Sequence, residues 1–163
     1  MRIFSLSLIA AGLLFTFAAC KKKGPETATT ESQSKESAVK SSDEPLHIRV
    51  QHILIGFQGT LPGKNVSRSE DEAKKLAEKI FAQAKDPKTN FDALVKENTD
   101  DRAPGIYGMS NLGVQPQGDE FPRNQMVPAF GDVGFKLQKG EVGLANYDKA
   151  TSPFGYHIIK RVE

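Results

Sequence analysis

Phe154-Gly155-Tyr156-His157-Ile158-Ile159-Lys160-Arg161-Val162 (FGYHIIKRV) is rich in β-branched and aromatic residues and follows a turn-forming Ser-Pro pair. It reads as a closing strand, with His157, Ile159 and Arg161 on one face. His47–Ile55 (HIRVQHILI) has the same character at the other end of the domain. Period two puts Ile48, Val50, His52 and Leu54 on one face and His47, Arg49, Gln51 and Ile53 on the other. His52 therefore points with the apolar set, whereas His47 does not. These two histidines face oppositely and cannot pair on one metal.

Between the two strands the pattern turns helical. Gly56–Arg68 (GFQGTLPGKNVSR) is a loop by its Gly and Pro content, and Ser69-x-x-Glu72 is a capping box. Ala73, Leu76, Ala77, Ile80, Phe81 and Ala84 then recur at helical spacing until Asp86-Pro87 stops the run. Asn90 caps a second helix that turns Phe91, Leu94 and Val95 inward. Ala103–Gln125 reads as loop, because Gly105, Gly108, Gly113 and Gly118 interrupt it. Pro128 suits the first turn of a third helix burying Ala129, Phe130, Val133 and Leu137. Gly131 and Gly134 make that helix poor on propensity alone. Lys139-Gly140-Glu141 turns the chain into a strand over Val142–Tyr147. The order implies an α+β domain, an antiparallel sheet with helices packed around it, over residues 47–163.

The N-terminal region is different. Met1–Cys20 (MRIFSLSLIAAGLLFTFAAC) joins a positive Arg2 to a short, nearly charge-free apolar run that ends in small residues. That is a secretory signal rather than a spanning helix, with 1–19 as the leader. Phe17-Ala18-Ala19-Cys20 resembles a bacterial lipobox, which implies that Cys20 is lipidated and becomes the first mature residue. Residues 20–46 form a tether. Its five lysines are balanced by Glu26, Glu31, Glu36, Asp43 and Glu44, and its few apolar groups cannot offset the entropy of folding. The expected setting is extracytoplasmic, at a bacterial membrane. The absence of Asp after Cys20 favours the outer membrane, facing the periplasm.

Composition narrows the function. Across 163 residues, 22 Lys plus Arg oppose 20 Asp plus Glu, so the basic footprint of a nucleic-acid binder is missing. One cysteine excludes an intramolecular disulfide and, with three histidines, argues against a structural zinc site. A mean hydropathy of −0.42 excludes a polytopic membrane protein. No Walker loop, GxGxxG, HExxH, GxSxG or CxxC motif occurs.

Taken together, His52-Ile53-Leu54-Ile55, Leu112-Gly113, Met126-Val127-Pro128-Ala129-Phe130 and Phe154–Lys160 resemble a parvulin-type peptidyl-prolyl cis/trans isomerase from about residue 48 to 162. The resemblance implies a four-stranded antiparallel sheet surrounded by helices. It also implies a foldase for proline-containing unfolded or exported polypeptides, with no metal or other cofactor. Carried over by residue, the paired histidines are His52 and His157. The acidic position is Asp101, or Asp100 one register away. The hydroxyl before the last strand is Ser152, with Thr151 as its rival. Leu112, Met126 and Phe130 become the proline pocket.

Two departures follow from the same blocks. Extra residues between Gly113 and Phe121 (VQPQGDE) form an insertion expected to make either a rim or a partial lid on the pocket. Loop 56–68 carries only Lys64 and Arg68, fewer cations than in phosphate-preferring family members, so no phosphate requirement is expected. The alternative function is a non-catalytic parvulin-like chaperone, and it gains if the insertion closes the pocket.

Overall fold

The structure, a computed structural model, describes residues 43–163. The expected leader, the expected lipidation at Cys20 and most of the expected tether fall outside the described residues. The elements are β1 (His47–Ile55), α1 (Glu70–Ala84), α2 (Phe91–Asn98), β2 (Ile106–Ser110), β3 (Phe121–Pro122), α3 (Pro128–Lys136), β4 (Val142–Ala145) and β5 (Tyr156–Arg161). A 3₁₀ turn, Arg123–Gln125, joins β3 to α3.

The sheet has the order β3-β2-β1-β5-β4. β2, β1, β5 and β4 are antiparallel neighbours, as the resemblance implied. The fifth strand, β3, is a correction to the four-stranded expectation, and it pairs parallel with β2 only at Met109 and Ser110. β2 is a second correction, because it lies inside the stretch read as loop. Its alternation is carried by Tyr107 and Met109, while Gly105 and Gly108 hide it. Register sets His52 opposite Ile159 and Leu54 opposite His157, so the two histidines lie diagonally on adjacent strands.

Each face of the sheet has its own core. Ile53, Ile55, Tyr156 and Ile158 pack with Ala73, Ala77 and Ile80 of α1 and with Phe91 and Val95 of α2. The Ser69–Glu72 capping box starts α1, and the Asn90 side chain caps α2. On the opposite face, Ile48, Val50, Met109 and Ile159 pack with Phe130 and Phe135 of α3. The glycines of α3 have a packing role despite their poor propensity. A Cβ on Gly134 would lie 3.2 Å from Met109 and 3.3 Å from Ile48, so glycine lets α3 settle closely on the sheet. At the sheet edge, Arg123 gathers Glu44, Asn111 and Asp132 with its guanidinium over the Phe135 ring. This network pins the segment that leads into β1.

Candidate active site

His52 and His157 meet beneath α3. Their Nδ1 atoms are 3.3 Å apart, both residues are buried, and the Phe130 ring packs edge-on against each. His52 Nε2 is 3.1 Å from Asp101 Oδ2, and the Tyr107 hydroxyl donates to the same oxygen at 3.0 Å. A carboxylate only accepts, so His52 Nε2 carries a proton. His157 Nε2 is buried without a partner among the described residues, and a bare lone pair is better tolerated there than an unpaired N–H. The His157 proton therefore belongs on Nδ1 and is donated to His52 Nδ1. The chain runs from His157 through His52 to Asp101, with Tyr107 as a second donor.

The electrostatics agree with this order. The His52 hydrogen bond, chiefly, holds the Asp101 carboxyl well below the usual range, and Arg102 and Tyr107 contribute against the effect of burial. Burial, reinforced by the proximity of His52, pushes His157 down to about 3. Burial and then Asp101 push Tyr107 up. An unfolded chain binds a proton on His157 below about 6.5, whereas the folded chain refuses it until about 3. Stability from this group is thus complete above 6.5 and is lost as pH falls, by about 1.4 kcal/mol per unit. We expect a loss of about 2 kcal/mol between pH 7 and pH 5 in urea denaturation. His157→Asn should flatten that slope, and an unchanged slope would contradict the assignment.

Above this chain lies a cavity of about 330 Å³. Met126, Val127 and Phe130 form one apolar wall, while Leu54, Leu61, Pro62 and Phe154 complete the rest. His52, Asp101, Tyr107 and His157 supply one polar side, and Lys64 and Asp100 also line the cavity. Of the expected residues, His52, His157, Asp101, Met126 and Phe130 are brought together. The carboxylate of Asp100 turns away from them, accepting from Gly56 N at 2.8 Å and from the Arg68 guanidinium, and so ties loop 56–68 to the sheet. The ammonium of Lys64 rests on the Asp100 carbonyl.

Three expectations are corrected. Leu112 is 41% exposed and lies outside the cavity wall, lining instead a separate surface space with Val114, Pro116 and Gln125. Ser152 is buried, but its hydroxyl donates to Gly155 O at 2.9 Å and closes the turn before β5 rather than facing the cavity. Its rival Thr151 donates to Asp148. The insertion is not a lid. Asp119 pairs with Arg49, and Glu120 with His47, so the segment folds onto the β1–β2 side of the sheet and leaves the cavity open. Tyr107 is the residue that sequence reading missed. Its alternation with Met109 was the available signal.

Fold and site together have the form of a parvulin-type isomerase domain. The family model described as the PPIC-type PPIASE domain matches residues 29–163, and the chain belongs to that family. Fission yeast (Schizosaccharomyces pombe) peptidyl-prolyl cis-trans isomerase pin1 is 27% identical over 136 residues, 80% of this chain and 70% of the relative. A probable parvulin-type peptidyl-prolyl cis-trans isomerase of Bordetella bronchiseptica is 29% identical over 140 residues. That match takes in 85% of this chain, which spans only 44% of the Bordetella protein. The solution structure of TbPIN1 superposes with a TM-score of 0.53 at 18% identity, over 72% of this chain and 98% of that one, a likeness of fold.

Proposed function

We propose that the protein accelerates cis/trans isomerisation of X–Pro bonds in unfolded or exported polypeptides outside the cytoplasm, anchored by a lipid on Cys20. The observation that carries the catalytic part is the open apolar cavity with a restrained carboxylate on its polar side. The X–Pro barrier of roughly 18–20 kcal/mol is resonance lost on twisting the amide, and no atom is transferred. A thousandfold acceleration requires only about 4 kcal/mol of preference for the twisted state.

Each part of the site can contribute to that preference. Met126 and Phe130 hold the proline ring while the preceding carbonyl turns. The planar amide places negative charge on oxygen, and twisting removes it. An anion fixed beside that oxygen therefore opposes the planar form more than the twisted one. Asp101 is the anion, and the His157–His52 relay with Tyr107 fixes its position. In this reading the histidines are positioning residues and transfer no proton.

The test is exchange NMR on an Ala-Leu-Pro-Phe peptide with the purified protein. Enhanced cis/trans exchange is expected. Binding without enhanced exchange would replace this reading with the chaperone one. For the cellular setting, membrane fractionation should release a Cys20→Ser variant, and a variant that stays bound would remove the lipid anchor.

A further inference from the structure

Beside the first cavity lies a second of about 440 Å³, lined by Arg102, Pro104, Ile106, Tyr107, Asp119 and Phe121 among others. Tyr107 lines both, and Arg102 directly follows Asp101, so the two spaces adjoin. Ile106 and Phe121 are 44% and 46% exposed, which places two large apolar side chains in water at one spot. The Phe121 and Tyr107 rings are 6.2 Å apart, so the apolar surface continues toward the active site.

The sheet edge adds polar groups to this surface. His52 N donates to Gly105 O at 2.9 Å, and Asn111 N donates to Leu46 O at 2.8 Å. In an antiparallel ladder such groups alternate, so Gly105, Tyr107 and Met109 direct theirs toward β1, while Ile106, Gly108 and Ser110 direct theirs outward. β3 pairs at Met109 and Ser110, and Glu120 lies against Gly108. Among the described residues, the N–H and C=O of Ile106 are left on a free edge. The far wall is held by Arg49, which bonds Asp119 through both terminal nitrogens at 2.7 and 3.2 Å.

We propose that this groove binds, in extended form, the segment of the substrate polypeptide that flanks the isomerising bond, with an apolar side chain against Ile106 and Phe121. The inference rests on the isomerase reading of the neighbouring cavity. An extended polypeptide suits both features, since its backbone can pair with the free edge while alternate side chains enter the groove. A second copy of this chain fits less well, because one free strand residue is too short for a ladder between subunits.

The test compares the purified protein on Ala-Leu-Pro-Phe and on a ten-residue peptide with the same centre and phenylalanines on both flanks. The longer peptide should show about a tenfold higher kcat/KM, carried by KM. It alone should shift the amide resonances of Ile106 and Phe121. In Phe121→Ser, and separately in Ile106→Ser, the long-to-short ratio should fall toward one. A wild-type ratio near one, or a ratio unmoved in both variants, would overturn the groove while leaving the isomerase reading intact. If neither peptide is accelerated, the isomerase reading fails and the resonances decide. Shifts at Ile106 and Phe121 from the long peptide alone would then keep the groove, and their absence would overturn it.

Discussion

Asp101→Ala is expected to lower kcat/KM on Ala-Leu-Pro-Phe by about 100-fold while the domain remains folded. A hundredfold loss corresponds to about 2.7 kcal/mol, within the range for removing one preorganised polar group from an active site. Asp101 carries that load because two donors converge on one of its oxygens, His52 at 3.1 Å and Tyr107 at 3.0 Å, and its side chain is only 29% exposed. The charge should matter more than the shape, so Asp101→Asn should lose most of the same activity. Asp100→Ala should behave differently. Its carboxylate holds Gly56 and Arg68, so that variant should lose stability in loop 56–68 before it loses chemistry. Exchange NMR and thermal melts on the same samples separate the two effects. Undiminished activity in the Asp100→Ala/Asp101→Ala double variant would remove the carboxylate from the mechanism.

The largest stability effect should come from Gly155→Ala. Gly155 has φ +132°, and a Cβ there would lie 2.2 Å from Ile55 O and 2.9 Å from Gly56 Cα. Both contacts are backbone, at the last residue of β1 and the one after it, and cannot move aside as a flexible side chain would. Unfavourable φ contributes about 1–3 kcal/mol and overpacking about as much again, so we expect a loss of about 3 kcal/mol or more. In urea the midpoint should fall without a change in slope. An alanine variant within about 0.5 kcal/mol of wild type would show that β5 does not need this close approach. Gly140→Ala is the comparison. It also has positive φ, at +89°, but nothing lies within 4 Å of its Cβ position, so only the conformational part of the cost remains.

The elements that were legible share one property. The capping box at Ser69, the stripe from Ala73 to Ala84, the Asn90 cap, Pro128 at the start of α3 and the alternation in His47–Ile55 are all signals between near neighbours. The face of His52 followed from alternation, and the structure puts it on the α3 side with Ile48 and Val50. β2 was obscured because Gly105 and Gly108 replace side chains that would have marked its alternation. Gly105 is there for a distant reason, since a Cβ at its φ of +66° would lie 2.5 Å from His52 O.

By itself, the sequence determined the α+β class, the places of the three helices and of β1, β4 and β5 to within a few residues, and the strand positions of His52 and His157. Local periodicity and capping act over a few residues, and that is where they are written. Only the tertiary structure decided which aspartate bonds His52 and Tyr107, that Tyr107 lines the cavity, that Leu112 and Ser152 do not line it, and that the insertion lies against Arg49 and His47. Those outcomes depend on pairings such as His52 with His157 and Arg49 with Asp119, each linking residues far apart in the chain. A one-residue change in the direction of a loop exchanges Asp100 for Asp101. No local pattern records that choice, because it is made by the strands and helices the loop has to join.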